Sequence, residues 1–211
     1  MNDTLINIVI PMKDPAAAKQ RLSQALDDRQ RSRLALELFE ETLYFFSNHF
    51  PQLHLLVVTD SRRIRDIADR FGHRVLLEPA ADGLNSAIER ATDWSLRHQF
   101  RQQLVVPADI AELDAGEIRQ LLASLDGQRG VVIAEAKDLG TNALLCAPPD
   151  AIPFRFGRHS ARAHQRQALK AGLPCRRLRL ARLSQDIDQP QDLRHCPINP
   201  LQTDGGQARY A

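Results

Sequence analysis

Short apolar runs alternate with helix-forming stretches along this chain, and that alternation limits the folds open to it. Ile6-Asn7-Ile8-Val9-Ile10 is largely β-branched and is stopped by Pro11, as a buried strand should be. From Asp27 to Asn48 apolar residues recur at helical spacing. Leu34, Leu38, Thr42 and Phe45 form one stripe, Leu36, Phe39, Leu43 and Phe46 lie beside it, and Pro51 ends the helix. His54 to Thr59 is a second buried strand, and Asp60 or Ser61 caps a helix that runs to Phe71. Gly72 suits a helix C-cap, and Arg74 to Leu77 is a third strand. Two strand–helix cycles in succession predict a parallel sheet with right-handed crossovers.

The cycle continues with a helix from Leu84 to about Arg97, a strand at Leu104–Val106 and a helix from Leu113 to Leu125, with Asp114 as its N-cap. Gly130 to Glu135 is a fifth strand. There the rhythm changes, because the polar turn Lys137–Asn142 leads directly into the apolar run Ala143–Ala147. Two strands without a helix between them predict an antiparallel excursion over the sheet's carboxyl edge. Phe154 to Ala171 holds a turn and a basic helix, Arg176 to Ala181 reads as a strand, and Asp186 to Leu193 as a loop into a short helix. From Gln202 to Gln207 apolar residues are missing. Residues 1–198 are therefore expected to form one α/β domain, and 199–211 a disordered tail.

The 211 residues suffice for one such domain, and a net charge of +2 is too small to argue by itself for nucleic acid or a membrane as partner. No apolar run reaches membrane-spanning length and no signal pattern opens the chain. Cys146, Cys175 and Cys196 are odd in number and far apart, which fits neither a disulfide framework nor a zinc site. Reduced thiols and a cytoplasmic location are expected.

Four polar clusters fall at strand ends or in the excursion. The first is the loop after β-strand Ile6–Ile10, with Lys13, Lys19 and Arg21. Cations there suit a phosphate chain, since Arg offers a bidentate fork and Lys a compact charge, although a solvated basic loop reads the same way. It lacks both glycine-rich phosphate-binding patterns, so a nucleotide would be held by side chains. The second is Gly83-Leu84-Asn85 at a helix start, either a plain N-terminus after a turn or a place where backbone N–H groups and an amide meet a nucleotide. The third is Asp109 at the end of a buried strand, a Mg²⁺ ligand or a cap, with Asp186 and Asp188 as its distant complement. The fourth joins Gly140-Thr141-Asn142 to Gly157-Arg158-His159-Ser160, and positive charge thickens around it at Arg155, Arg162, His164, Arg166 and Lys170. A pocket for a small phosphorylated acid, a solvated basic helix and a nucleic-acid patch are the readings open here, though one Trp and two Tyr leave little stacking surface for single strands.

In order and spacing these clusters resemble the 2-phospholactate guanylyltransferase family of deazaflavin coenzyme F-420 biosynthesis. The matching stretches are Ile10-Pro11-Met12-Lys13 with Ala18-Lys19-Gln20-Arg21-Leu22, Gly83-Leu84-Asn85-Ser86-Ala87, Pro107-Ala108-Asp109, Gly140-Thr141-Asn142-Ala143, Phe156-Gly157 with Ser160 and His164, and Asp186-Ile187-Asp188-Gln189-Pro190. The resemblance implies a Rossmann-like, mostly parallel sheet of the nucleotide-diphospho-sugar-transferase type, flanked by helices. It implies transfer of GMP from GTP to the phosphate of 2-phospholactate, phosphoenolpyruvate or 3-phosphoglycerate, with Mg²⁺. On that likeness Lys13, Lys19 and Arg21 take the triphosphate, Asp109 and Asp188, with Asp186, the metal, and Gly83 and Asn85 the nucleotide. Thr141, Gly157 and Ser160 match the acceptor-acid pocket. The chain departs from the family pattern at Ala111 and Glu112 (usually Pro-Leu), at Leu139 (usually Gly) and at Arg158-His159 (usually Pro-Gly). Arg158 or His159 is therefore expected to read the acid's carboxylate or phosphate. A labile product implies handover to the next enzyme of the pathway, and a transferase of the same fold acting on a sugar phosphate or molybdopterin is the nearest alternative.

Overall fold

The computed structural model describes residues 5–79 and 82–198, so the expected tail at 199–211 lies outside the described residues. Seven strands form one sheet in the order β3-β2-β1-β4-β6-β5-β7. They are β1 (Ile6–Pro11), β2 (His54–Thr59), β3 (Arg74–Leu77), β4 (Gln102–Val105), β5 (Gly130–Glu135), β6 (Thr141–Ala147) and β7 (Cys175–Leu178). The helices are α1 (Asp28–His49), α2 (Arg62–Arg70), α3 (Leu84–Arg97), α4 (Ala115–Ala123) and α5 (Ser160–Lys170).

β1 pairs in parallel with β2 and β4, β2 with β3, and β5 with β7. The predicted antiparallel strand is present, but it does not pass over the sheet's edge. β6 lies within the sheet, antiparallel to both β4 and β5. All seven of its residues are buried. A run that apolar needs both faces covered and both edges paired, which an interior position supplies.

Alternate strand residues face opposite sides of the sheet. Ile6, Ile8 and Ile10 join Phe39, Phe46, Ile64 and Ile118 beneath α1, α2 and α4. Val9, Val131 and Leu144 join Ile88, Ala91 and Ala161 beneath α3 and α5. Helix starts follow local chemistry. Asp27 and Gln30 form a reciprocal capping box on α1, and Asp114 accepts the Glu117 N–H at the start of α4. The predicted cap of α2 is different, since the Ser61 hydroxyl makes no cap and donates to Asp14 at 2.9 Å.

Two features of this order locate a site. β1 sends its helical connections towards β2 and β3, whereas β4 stands on its other side, so a crevice opens between the carboxyl ends of β1 and β4. No helix among the described residues is long and apolar enough to cross a membrane.

Candidate active site

The loop that leaves β1 carries the predicted cations, and it is built rather than loose. Asp14 accepts the Ala16 N–H at 2.9 Å and caps a 3-10 turn at Pro15–Ala17, and a second turn spans Gln20–Leu22. Lys19 sits between them in the left-handed region, at φ 54°. Its side chain is only 7% exposed, and Nζ donates to the Ile187 carbonyl at 2.6 Å and to Asp109 Oδ2 at 3.3 Å. Arg21 lies outside and pairs with Asp188 at 2.5 Å. Lys13 is exposed at the crevice mouth.

A small apolar cluster holds this loop in place. Leu22 and Leu26 pack with Leu34 and Leu38 of α1, with Ala111 and with Ile187. Each of these comes from beside a charged residue: Leu22 follows Arg21, Ala111 lies two residues past Asp109, and Ile187 stands between Asp186 and Asp188. Burying three short side chains fixes three loops at once, which charged groups that must stay wet cannot do for themselves.

Backbone bonds complete the join. Ile187 N–H donates to the Asp109 carbonyl at 2.9 Å and Ala111 N–H to the Gln185 carbonyl at 2.8 Å, around a bridge between Ile110 and Asp186. Asp109 is thereby brought together with Asp186 and Asp188 from almost eighty positions along the chain. Asp186 is half-buried, and burial followed by the neighbouring Asp109 charge pushes its carboxyl up from the usual range. Asn142 Nδ2 donates to it at 3.1 Å. Asp109 and Asp188 remain about one-third open, at 35% and 33%. Among the described residues no three His, Cys, Asp or Glu form a closed metal cage. One or two carboxylates facing a crevice are instead the donor set of Mg²⁺, which fills its sphere with water and substrate phosphate.

The crevice is a cavity of about 380 Å³ lined by Lys13, Lys19, Gly83, Asp109 and Asp188 among others. It thus gathers residues predicted from four separate motifs. It also contains two carboxylates that the sequence reading gave no such place, Asp60 and Glu78. Each directly follows a strand, β2 or β3, and that position at the carboxyl end of a parallel sheet was the available signal. Gly83 begins α3 at φ 88° without a side-chain cap, so the first N–H groups of the helix are left for water or a ligand. Arg21 does not line the cavity but reaches it through Asp188. Asn85 is committed elsewhere: it accepts the Phe156 N–H at 2.8 Å and donates to the Phe156 carbonyl at 3.3 Å, clamping the loop before α5 onto α3.

The acceptor residues form a second, buried group. Ser160 Oγ donates to Thr141 Oγ1 at 2.9 Å, and Thr141 Oγ1 lies 3.1 Å from His164 Nδ1. The Arg155 N–H donates to His164 Nε2 at 2.9 Å. A backbone amide can only donate, so Nε2 carries no proton, and the neutral ring holds its proton on Nδ1 and donates it to Thr141. Burial, and then the Arg155 charge, holds the imidazole pKa down at about 4. Thr141 Oγ1 therefore accepts twice, which leaves its own hydrogen to donate onward. Gly157 bends the loop at φ 136°, and Arg158 and His159 stand exposed with neither side chain hydrogen-bonded or ion-paired among the described residues. The two groups touch through Asn142, which follows Thr141 and bonds to Asp186.

Comparison with known proteins identifies the family and the fold. The 3-phospho-D-glycerate guanylyltransferase of Colwellia psychrerythraea is 51% identical over 187 residues, 89% of either chain. The phosphoenolpyruvate guanylyltransferase of Sphaerobacter thermophilus is 35% identical, covering 94% of this chain and 97% of its own. Among solved structures, a nucleotidyl transferase from Methanothermobacter superposes with a TM-score of 0.63 at 14% identity, over 90% of this chain and 94% of its own. A 4-diphosphocytidyl-2C-methyl-D-erythritol synthase gives 0.61 at 15%, over the same shares. These structural likenesses show the fold, that of nucleotidyltransferases of the nucleotide-diphospho-sugar-transferase type. The model of the "Guanylyl transferase CofC like" family matches residues 6–203. The chain belongs to that family of guanylyl transferases.

Proposed function

We propose that this protein transfers GMP from GTP to the phosphate of a small three-carbon acid and releases pyrophosphate. The observation that carries this reading is one crevice shared by Lys13, Lys19, Asp109 and Asp188 at the switch point of the sheet. A phosphate oxygen of the acid bonds to the α-phosphorus of GTP while the bond from that phosphorus to the bridging oxygen of pyrophosphate breaks. The acid's phosphate is already an anion, so no residue need act as a base, and catalysis consists of alignment and charge neutralisation. Lys13 and Lys19 hold the triphosphate, with Arg21 behind them, and Gly83 opens α3 towards the nucleotide. Asp109 and Asp188, backed by Asp186, are the residues that would hold Mg²⁺, which neutralises phosphate charge when bound. Lys19 and Arg21 lie against those same carboxylates, and binding exchanges these internal ion pairs for pairs to phosphate.

Thr141 and Ser160 orient the acid, with the Thr141 hydroxyl as donor. Arg158 and His159 supply exposed cationic or donor groups for its carboxylate. The relative at 51% identity supports 3-phospho-D-glycerate as the acid to test first. The product is a phosphoanhydride joining GMP to the acid's phosphate, which the next enzyme of deazaflavin coenzyme biosynthesis consumes. Pyrophosphate release should be measured with GTP, Mg²⁺ and each of 3-phosphoglycerate, phosphoenolpyruvate, 2-phospholactate or no acid, with that consuming enzyme present. Acid-dependent release is expected. Arg158→Ala and His159→Ala should lower kcat/KM for the preferred acid by about tenfold. Release that ignores the acid rejects this reading, and both variants being silent towards every acid removes them from acid recognition.

A further inference from the structure

We propose that Asp60 reads the base of the nucleotide, its carboxylate accepting the adjacent N1–H and 2-amino donors of guanine. The inference rests on the GTP-dependent reading above and narrows base selection to one residue.

The crevice has two chemically different ends. Lys13, Lys19, Asp109 and Asp188 make one end polar and charged. On the other side, where β2 and β3 end, the slot carries Asp60 and Glu78, and Pro11, Met12, Val58, Leu84 and Ala87 are among the apolar residues that line the same cavity. A flat apolar slot with few polar groups is what a nucleobase needs, and the phosphates then run towards the lysines.

The two carboxylates in that slot differ in what they already do. Glu78 is committed, since its carboxylate is ion-paired with Arg90 of α3, and its side chain is 7% exposed. Asp60 makes no side-chain hydrogen bond or ion pair among the described residues, and its Oδ1 is buried without a partner. The donors nearest in sequence are spent elsewhere, as Ser61 N–H goes to Thr59 Oγ1 at 3.0 Å and Ser61 Oγ to Asp14 at 2.9 Å. A carboxylate oxygen out of water with no donor is costly, and native proteins leave few such atoms without a reason. The soft terminal torsion of the Asp side chain lets the carboxylate turn towards the slot, where both oxygens can accept.

The chemistry selects the base. Guanine presents two donors side by side, N1–H and the 2-amino group, which match two carboxylate oxygens. Adenine presents the N1 lone pair and a C2–H there, and so opposes the carboxylate. Inosine lacks the 2-amino donor, and xanthine replaces it with an acceptor oxygen.

The test is pyrophosphate release by the intact protein at saturating acid, with GTP, ITP, XTP and ATP in turn. The unaltered protein should prefer GTP over ITP by at least about tenfold and over XTP and ATP by at least about 100-fold in kcat/KM. Asp60→Asn offers one acceptor and one donor in place of two acceptors. It should lose about 100-fold with GTP and gain with XTP until XTP becomes the better substrate. A variant that stays within threefold of the unaltered protein with GTP, or that loses GTP without gaining XTP, overturns the assignment. If Asp60→Asn does not fold, judged by its thermal melt, the GTP-to-ITP ratio of the unaltered protein decides, and a ratio near one rejects Asp60. Absence of turnover with every nucleotide sinks the guanylyl-transfer reading as well, whereas good GTP turnover with an unmoved base preference sinks this inference alone.

Discussion

The two ends of the site are organised on opposite principles. Around Asp109 the groups are charged, partly open and paired with one another, Lys19 to Asp109 and Arg21 to Asp188, on loops pinned by the Leu22–Ala111–Ile187 cluster. Around Thr141 they are neutral and buried, and each hydrogen bond passes to the next, from the Arg155 amide through His164 to Thr141. Under the proposed function the first end exchanges its ion pairs for pairs to phosphate. Under the same reading the second end keeps its hydrogen bonds, because its donors are aimed beforehand. Pre-aimed dipoles reorganise little during reaction, whereas ion pairs in water contribute little until they are desolvated.

The sharpest way to break this contrast is to remove charge from the open end. Asp109→Asn is expected to lower kcat by about 1,000-fold while the melting temperature changes little, since Lys19 keeps its bond to the Ile187 carbonyl. Parallel steady-state assays and thermal melts check this, and a variant within tenfold of full activity would remove Asp109 from the chemistry.

At the buried end both activity and stability should move. His164→Asn cannot span the distance from the Arg155 amide to Thr141, so the fold should lose about 2 kcal/mol by chemical denaturation. KM for the acid should rise about tenfold with KM for GTP unmoved, because only the Thr141 hydroxyl loses its orientation. The same histidine gives a pH signature. Its folded-state pKa of about 4 lies below the unfolded value near 6.5, so the unfolded chain takes up the proton first. No penalty exists above pH 6.5. It grows as pH falls towards 4 and reaches about 3 kcal/mol, and in His164→Asn that part of the acid sensitivity should vanish. An unchanged slope between pH 6.5 and 4 in the variant would show that His164 is not the group responsible.

The smallest effect concerns backbone. Leu139 lies at φ 69° and His159 at φ 56°, and both stand where the resembling family carries glycine. A left-handed L-residue costs about 1–2 kcal/mol, against which glycine's extra freedom in the unfolded chain costs about 0.5–1. Leu139→Gly should therefore raise stability by up to about 1 kcal/mol, measured by chemical denaturation, with acid KM unchanged. A destabilised variant would mean that the exposed Leu139 side chain contributes packing that outweighs the strain.

Much of this was legible in the chain itself. The strands and helices follow from β-branched runs and 3.6-residue spacing; Lys19, Asp109, Thr141 and Ser160 stand out by their place at strand ends or turns, and their roles come from the family resemblance. What was not legible depends on contacts between distant segments. An apolar run such as Ala143–Ala147 carries no mark of direction, so β6 was placed beyond the sheet rather than within it. Asn85 has the composition of a ligand-binding amide, yet the Phe156 backbone takes both its groups. His164 reads as one more charge on a basic helix and as a member of the family match, without a role of its own. Only the Arg155 amide, which fixes its tautomer, gives it a part in the site.

The bridge between Ile110 and Asp186 also sets an order in time. Asp109 and Asp188 are separated by almost eighty positions, and they meet only when the last stretch of the domain folds back across the crevice. Long-range closures of this kind come late, after the local helices and neighbouring strands have formed. A chain still emerging from the ribosome, or refolding from denaturant, can thus possess its sheet and its basic loop and still be inert. Turnover becomes a readout of completion, and during refolding it should trail the recovery of secondary structure.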